Sequence, residues 1–261
     1  MPVLFVGHGS PMNAIEDNVY RRSWQQLGSQ FGTRYPMPQL ILCISAHWLT
    51  DGWWLTGQER PPTIHDFGGF PAELFAQQYP APGAPAVAAA IGAAMRNPPI
   101  GVDAQAWGLD HGAWSVLKPM FPAADIPVVQ LSMDFNQPAT AHLALGRQLR
   151  PLRDRGVLIV GSGNIVHNLR TMRREAASDQ AYEWAVAFDA QVQEWLDRRD
   201  LAALAEFQQL GAIARLAQPS WEHYLPLLYA AGASEDGDTM QVFNASFQAA
   251  SISMRSLLWA A

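Results

Sequence analysis

Seven histidines and a single cysteine define the chemistry open to this 261-residue chain. Imidazole moves protons near neutral pH and, when neutral, binds borderline metals such as Fe(II) and Zn(II). The one thiol, Cys43, lies inside the apolar run "LILCISA" and reads as a small core residue. A cysteine zinc clamp and an intramolecular disulfide are both excluded. Several histidines with almost no cysteine point to a catalytic metal site. Three imidazoles and a water make a zinc-hydroxide centre, whereas three facial ligands with open positions make a non-haem iron centre, usually with two His and one carboxylate. Residue types alone leave both open.

The contexts of the histidines differ in promise. His8 stands between two glycines in "FVGHGSPMNAI", straight after an apolar run that Pro11 stops, so it belongs at the tip of a buried strand. His47 in "CISAHWLT" and His167 in "GVLIVGSGNIVHNL" also follow apolar runs. His111 in "AWGLDHGAWSVL" reads as a loop residue beside Asp110, just before a helical pattern. His223 in "QPSWEHYLPLLYA" reads as the first turn of a helix capped by Ser220, with Glu222 as an acid favoured at a helix N-terminus. His65 in "TIHDFGG" either lines the site or pins its loop through Asp66, and His142 falls in an amphipathic helix as a satisfied or solvated side chain. Trp48, Trp107 and Trp114 lie close enough in sequence to these histidines to wall an aromatic ligand.

Positioning these residues requires strands that end at a common edge. Nearly continuous apolar runs at 2–7, 39–46, 126–133, 156–163 and 240–247 read as strands covered on both faces. Helical patterns at 19–31, 138–155 and 180–199 alternate with them, and "AVAAAIGAAM" is a further helix. The expected architecture is α/β: a single domain over 1–261 with a central, largely parallel or mixed sheet flanked by helices. If the strands before His8, His47 and His167 are parallel, their carboxyl ends bring the three histidines to one edge of the sheet. The segment from Thr50 to Pro85 is long, irregular and aromatic, a composition expected of a site wall. "GSGNIV" lacks the third glycine of a dinucleotide turn, and neither a nucleophile elbow nor a P-loop occurs.

The bulk numbers narrow the partners. A net charge of −6 without any Lys/Arg-rich run argues against nucleic acid and anionic membrane. A hydrophobic fraction of 49% with 15% charged residues describes a globular protein with a large interior. The start "MPVLFVG" reads as a first strand and not a signal peptide, and the expected compartment is the cytoplasm.

Taken together, "LFVGHGSPMNAIEDN", "SAHWLT", "PPTIHDFGGFPAELF", "AWGLDHGAWSVL", "GSGNIVHNLR" and "PSWEHYLPLLYA" resemble the DODA-type extradiol aromatic ring-opening dioxygenases of the class III superfamily. The resemblance runs in order from the first residues to about Leu228. It implies that His8, His47 and His223 are metal ligands, and that His167 is an acid/base or a fourth ligand when zinc is bound. It also implies a site for His111 beside substrate or dioxygen. Wider class III relatives carry a glutamate as third ligand. Here "WEHY" offers Glu222 next to His223, and neighbours on a helix point about 100° apart, so one of the two reaches the metal. The histidine matches the DODA-like pattern. The implied reaction takes a catechol such as DOPA and O2 to a semialdehyde. Fe(II) serves activity, and Zn(II) is a metal the site can hold as purified. A zinc hydrolase on the same histidines and a Memo-like binding protein are the competing readings.

Overall fold

The computed structural model describes all 261 residues. The apolar runs fold as strands β1 (Val3–Gly7), β2 (Leu40–Thr50), β3 (Trp53–Thr56), β4 (Ile100–Asp103), β5 (Val128–Asp134) and β6 (Val157–Gly163). They are followed by β7 (Thr239–Phe243), β8 (Phe247–Gln248), β9 (Ile252–Ser253) and β10 (Ser256–Ala260). Eight of these make one mixed sheet in the order β4-β3-β5-β2-β6-β1-β10-β7, and β8 pairs with β9 apart from it.

The centre of the sheet is parallel. β5 with β2, β2 with β6, and β6 with β1 all run the same way. Antiparallel pairing is confined to the flanks, where β10 joins β1, β7 joins β10, and β3 touches β5 at Leu55 and Leu131. The parallel strands are buried on both faces, which explains their near-continuous apolar sequences. Alternate residues feed opposite layers: Phe5, Leu42, Ile44 and Ile159 enter one apolar core, while Leu4, Val6, Cys43, Leu158 and Val160 enter the other. Helices Ala139–Leu149, Glu183–Asp197 and Leu225–Ala233 cover the first layer; helices Val19–Gly28 and His111–Met120 cover the second.

Several elements depart from the sequence expectation. The run at 240–247 is no central strand. It splits at Asn244, whose φ of 53° breaks the extended chain, and β7 lies half-exposed at the antiparallel edge. β2 continues past residue 46 to Thr50 through a register shift between Ile44 and Leu49, so His47 lies within the strand. His111 is the first residue of helix His111–Met120, with Asp110 as its N-cap, and not a loop residue. Ser220 caps no helix: the nearby helix begins at Leu225, and Ser220 donates to Glu222 Oε1 at 2.9 Å. His223 therefore stands in a turn. Of the two alternatives for His142 the structure takes the satisfied one: it is fully buried, with Nδ1 2.8 Å from Tyr229 Oη.

Candidate active site

Five of the seven histidines meet at the carboxyl edge of the parallel strands. His8 leaves the end of β1, with its N–H donating to Gly163 O at 3.1 Å. Gly9 after it has φ +57°, a left-handed conformation that turns the chain away sharply. Gly163 closes β6, and a Cβ there would strike the His223 carbonyl, so glycine lets the His223 turn lie on the strand end. Asn164 N–H then donates to His223 O at 2.8 Å. The glycines of "GSGNIV" thus serve close backbone packing and not a nucleotide.

Three imidazoles have an oxygen near Nδ1, hydrogen-bonded for His8 and His223 and, for His47, close but out of line for a hydrogen bond. His8 Nδ1 is 3.0 Å from Ser162 Oγ, His223 Nδ1 is 3.0 Å from Glu222 Oε1, and His47 Nδ1 is 3.3 Å from Asp66 Oδ2. The ring centroids form a nearly equilateral triangle, with His8–His47 at 5.1 Å, His8–His223 at 5.3 Å and His47–His223 at 5.0 Å. The Nε2 atoms of His8 and His47 are 3.3 Å apart, and Nε2 of His223 is buried with no hydrogen-bond partner. Two metal–imidazole bonds of ~2.0–2.1 Å at a near-tetrahedral angle require nitrogens about 3.3 Å apart, so His8 and His47 have the spacing of two ligands to one divalent ion, and the unpartnered Nε2 of His223 is available as a third.

The remaining histidines complete two sub-groups. Ligand atoms of His8, His47 and His111 all fall within 4.8 Å of one another, as do those of His167, Glu222 and His223. His111 lies 3.8 Å from the His47 ring, and its Nδ1 is 3.0 Å from Asp66 Oδ2, out of line for a hydrogen bond. His167 stacks face to face on His223, 3.4 Å between centroids and 7° between planes.

Burial keeps His8, His47, His167 and His223 neutral. It holds His8 well below the ordinary imidazole value, with the charges of His47, His111 and His167 acting the same way. Burial and then His111 bring His47 down to about 3, and burial with His111 brings His167 to about 4. His223 is lowered well below its usual range by burial, then by His167, His47 and His8. Neutral imidazole is the form that ligates metals.

Two carboxylates frame the cluster. Asp110 is fully buried, accepting from Ser45 Oγ at 2.6 Å, Ala113 N at 3.2 Å, Trp107 Nε1 at 3.3 Å and Gln130 Nε2. Burial pushes its pKa up, and the charge of Asp66 adds to this. Asp66 comes from the long loop and accepts from His111 N at 2.9 Å. That loop residue, and not the adjacent His65, reaches the histidines; His65 Nε2 instead sits 2.9 Å from Gln77 O.

The tryptophans divide. Trp48 and Trp107 lie parallel, 6° between planes and 5.8 Å between centroids, on a cleft of about 540 Å³ shared with Thr50, Trp54 and Val102. Trp114 is buried, and its Nε1 donates to Ile64 O at 2.8 Å, so it anchors the loop. A second cavity of about 570 Å³, beside Trp53 and Asp134, contains none of the five clustered histidines.

Comparison with known proteins converges on one family. Residues 2–255 match the catalytic LigB subunit of aromatic ring-opening dioxygenase. The chain belongs to the LigB family. It is 46% identical to the 4,5-DOPA dioxygenase extradiol of Escherichia coli K12 over 98% of this chain and 94% of that protein. It is 36% identical to the Beta vulgaris protein of the same name, over 93% and 90% of the two chains. An uncharacterised Escherichia coli K12 protein of known crystal structure superposes over 100% of both chains, with a TM-score of 0.85 and 41% identity. The chain is accordingly an extradiol ring-opening dioxygenase, a metal-dependent enzyme of an aromatic substrate and O2. No helix is long and apolar enough to cross a membrane.

Proposed function

We propose that His8, His47 and His223 hold one Fe(II) through Nε2, that His167 is the acid/base, and that the substrate is DOPA or a related dihydroxyphenyl compound. The observation that carries this reading is the convergence of three imidazoles whose Nδ1 atoms each face an oxygen partner. Bound Fe(II) supplies the Lewis acidity and electron transfer that ring opening with O2 requires.

The protein's own part is orientation and proton handling. Ser162 and Glu222 hold the His8 and His223 rings through Nδ1 and Asp66 lies beside Nδ1 of His47, which leaves each Nε2 for the metal. The planes of His167 and His223 are parallel and 3.4 Å apart, so their in-plane lone pairs cannot meet at one ion. This supports His167 as the base that takes the proton of the second catechol hydroxyl and returns it to a leaving oxygen, instead of a fourth ligand. Burial and His111 lower its pKa to about 4, so the ring is unprotonated before substrate binds. His111, beside His47 and edge-on to Phe67 at 5.4 Å, stands where it can contact substrate or dioxygen. Trp48 and Trp107 line a cleft that includes none of the five clustered histidines, and Trp107 reaches the site only through its Nε1–H to Asp110 Oδ2 at 3.3 Å. The same reading has residues 1–261 working as one catalytic unit in the cytoplasm, on a small diffusible catechol and with neither nucleic acid nor membrane as partner.

Anaerobic loading with Fe(II), followed by oxygen uptake with DOPA and a panel of catechols, tests the proposal. One divalent ion per chain and uptake with iron but not zinc are expected. Full metal occupancy in both His8→Ala and His47→Ala would sink the ligand assignment. Hydrolytic activity with zinc and no oxygen uptake would instead favour a zinc-hydroxide enzyme.

A further inference from the structure

The long loop between β3 and β4 (which pairs with β3) sends one carboxylate into the histidine cluster, and its geometry is unusually well secured. Ile64 N donates to Leu109 O at 2.7 Å, and Leu109 N donates to Pro62 O at 2.8 Å. Trp114 Nε1 holds Ile64 O, and Phe67 packs edge-on against His111. Asp66 sits between these anchors, its side chain only 17% exposed. Oδ1 accepts from the His111 backbone, and Oδ2 lies 3.3 Å from His47 Nδ1 and 3.0 Å from His111 Nδ1, both at ion-pair distance and neither in line for a hydrogen bond, so the carboxylate acts on the two rings through its charge. No other carboxylate touches either ring. Ser162 backs His8 and Glu222 backs His223, so each of the three rings has its own oxygen behind it.

We propose that Asp66 is the positioning residue of the site, holding the proton of His47 on Nδ1 so that Nε2 presents its lone pair inward, and orienting His111 through the same carboxylate. The proposal rests on the metal-ligand reading of His47 above. A carboxylate has only acceptors, so a ring facing it keeps its N–H on the facing side. Asparagine is nearly the same size and can still accept from the His111 backbone. Its amide, however, presents N–H groups where Oδ2 stood. An N–H facing His47 Nδ1 makes that nitrogen an acceptor and drives the ring proton to Nε2, the position the metal needs free. Outer partners of this kind are typically worth 10–100-fold in metal affinity.

Two measurements decide it, in wild type, Asp66→Asn and His47→Ala. The first is Co(II) titration of the metal-free protein, read from its visible spectrum and alongside circular dichroism. The expected result is a roughly 10–100-fold weaker Co(II) affinity in Asp66→Asn with unchanged secondary structure. The second is imidazole 15N NMR of the metal-free proteins. His47 should carry its proton on Nδ1 in wild type and shift toward Nε2 in Asp66→Asn. Wild-type Co(II) affinity in Asp66→Asn, or a wild-type His47 already protonated on Nε2, overturns the proposal. The wild-type spectrum tests the tautomer even if the variant fails to fold. If His47→Ala keeps wild-type affinity, the ligand reading itself fails, whatever Asp66 does to the tautomer.

Discussion

His167 and His223 lie as close as two rings can pack, yet the geometry gives them different tasks. A ligand must aim its lone pair at the ion; a base must keep a nitrogen free for a proton in transit. His167→Gln separates the two. The amide keeps hydrogen-bonding capacity but cannot shuttle a proton, so kcat is expected to fall about 10²–10⁴-fold with metal content and catechol binding retained. Loss of the metal together with activity would make His167 a ligand after all, and wild-type turnover would leave it no role. At this scale the sequence was most readable for histidines beside apolar runs and least readable for their partners. His8 and His167 follow strands and His47 follows the apolar half of its own strand, a one-dimensional signal in each case. Glu222 is the chain neighbour of His223, but Ser162 and Asp66 reach His8 and His47 through contacts that no spacing reveals, and Asp66 touches rings 19 and 45 residues away. The one clue in the chain was the "HDFGG" turn in an ordered aromatic loop.

At the level of elements, the helices Ala139–Leu149 and Leu225–Ala233 meet across a buried polar contact on the sheet. His142 Nδ1 is 2.8 Å from Tyr229 Oη, which also accepts from Trp53 Nε1 at 2.7 Å. Burial lowers the His142 pKa to about 4, despite opposing backbone contacts with Gln137 and the charge of Asp134. In the unfolded chain this group titrates near 6.5, so between pH 6.5 and 4 the unfolded state binds a proton that the folded state refuses. Its contribution to stability is therefore complete above pH 6.5 and falls as the pH drops toward 4, by up to about 1.4 kcal/mol per pH unit. Denaturant unfolding across that range, with chelator present, should show a shallower loss in His142→Gln than in wild type; parallel curves would remove His142 from the acid response. The helices themselves were legible because their apolar spacing repeats. The pairing of Tyr229 with His142 was not, since "amphipathic helix" does not say which polar side chain turns inward. The β7 edge strand misled for the opposite reason: its composition is that of a central strand, and only its antiparallel partner β10 shows that it lies at the rim.

Across the whole molecule, Arg153 fastens distant parts of the chain. It forks onto Asp238 at 2.8 Å through both terminal nitrogens, donates to Met1 O at 2.8 Å and to Ala233 O at 3.1 Å, and is almost wholly buried. Arg153→Met strips Asp238 of its ion pair, leaving it only the Glu235 N–H at 2.7 Å, takes the guanidinium donors from two carbonyls, and is expected to cost about 3–5 kcal/mol in denaturant unfolding. Adding Asp238→Asn should recover part of this, because the stranded charge is then removed. Global order of this kind also bears on the histidines. The central strands β5, β2, β6 and β1 are neighbours in space but remote in the chain, and the proposed ligands run from residue 8 to residue 223. Each such contact closes a large loop, an entropic cost met only when the sheet is assembled. A partly folded chain then offers scattered imidazoles and no chelate. During refolding, helical signal should rise first and Co(II) capture should lag behind it. Metal at 100 times its Kd should raise the stability of the finished protein by about 2.7 kcal/mol. Capture that keeps pace with the earliest helical signal would mean a local nucleus already holds the ion. If capture lags, metal uptake becomes a timer for the last step of assembly, and the enzyme acquires its reactivity toward oxygen only after its interior has closed.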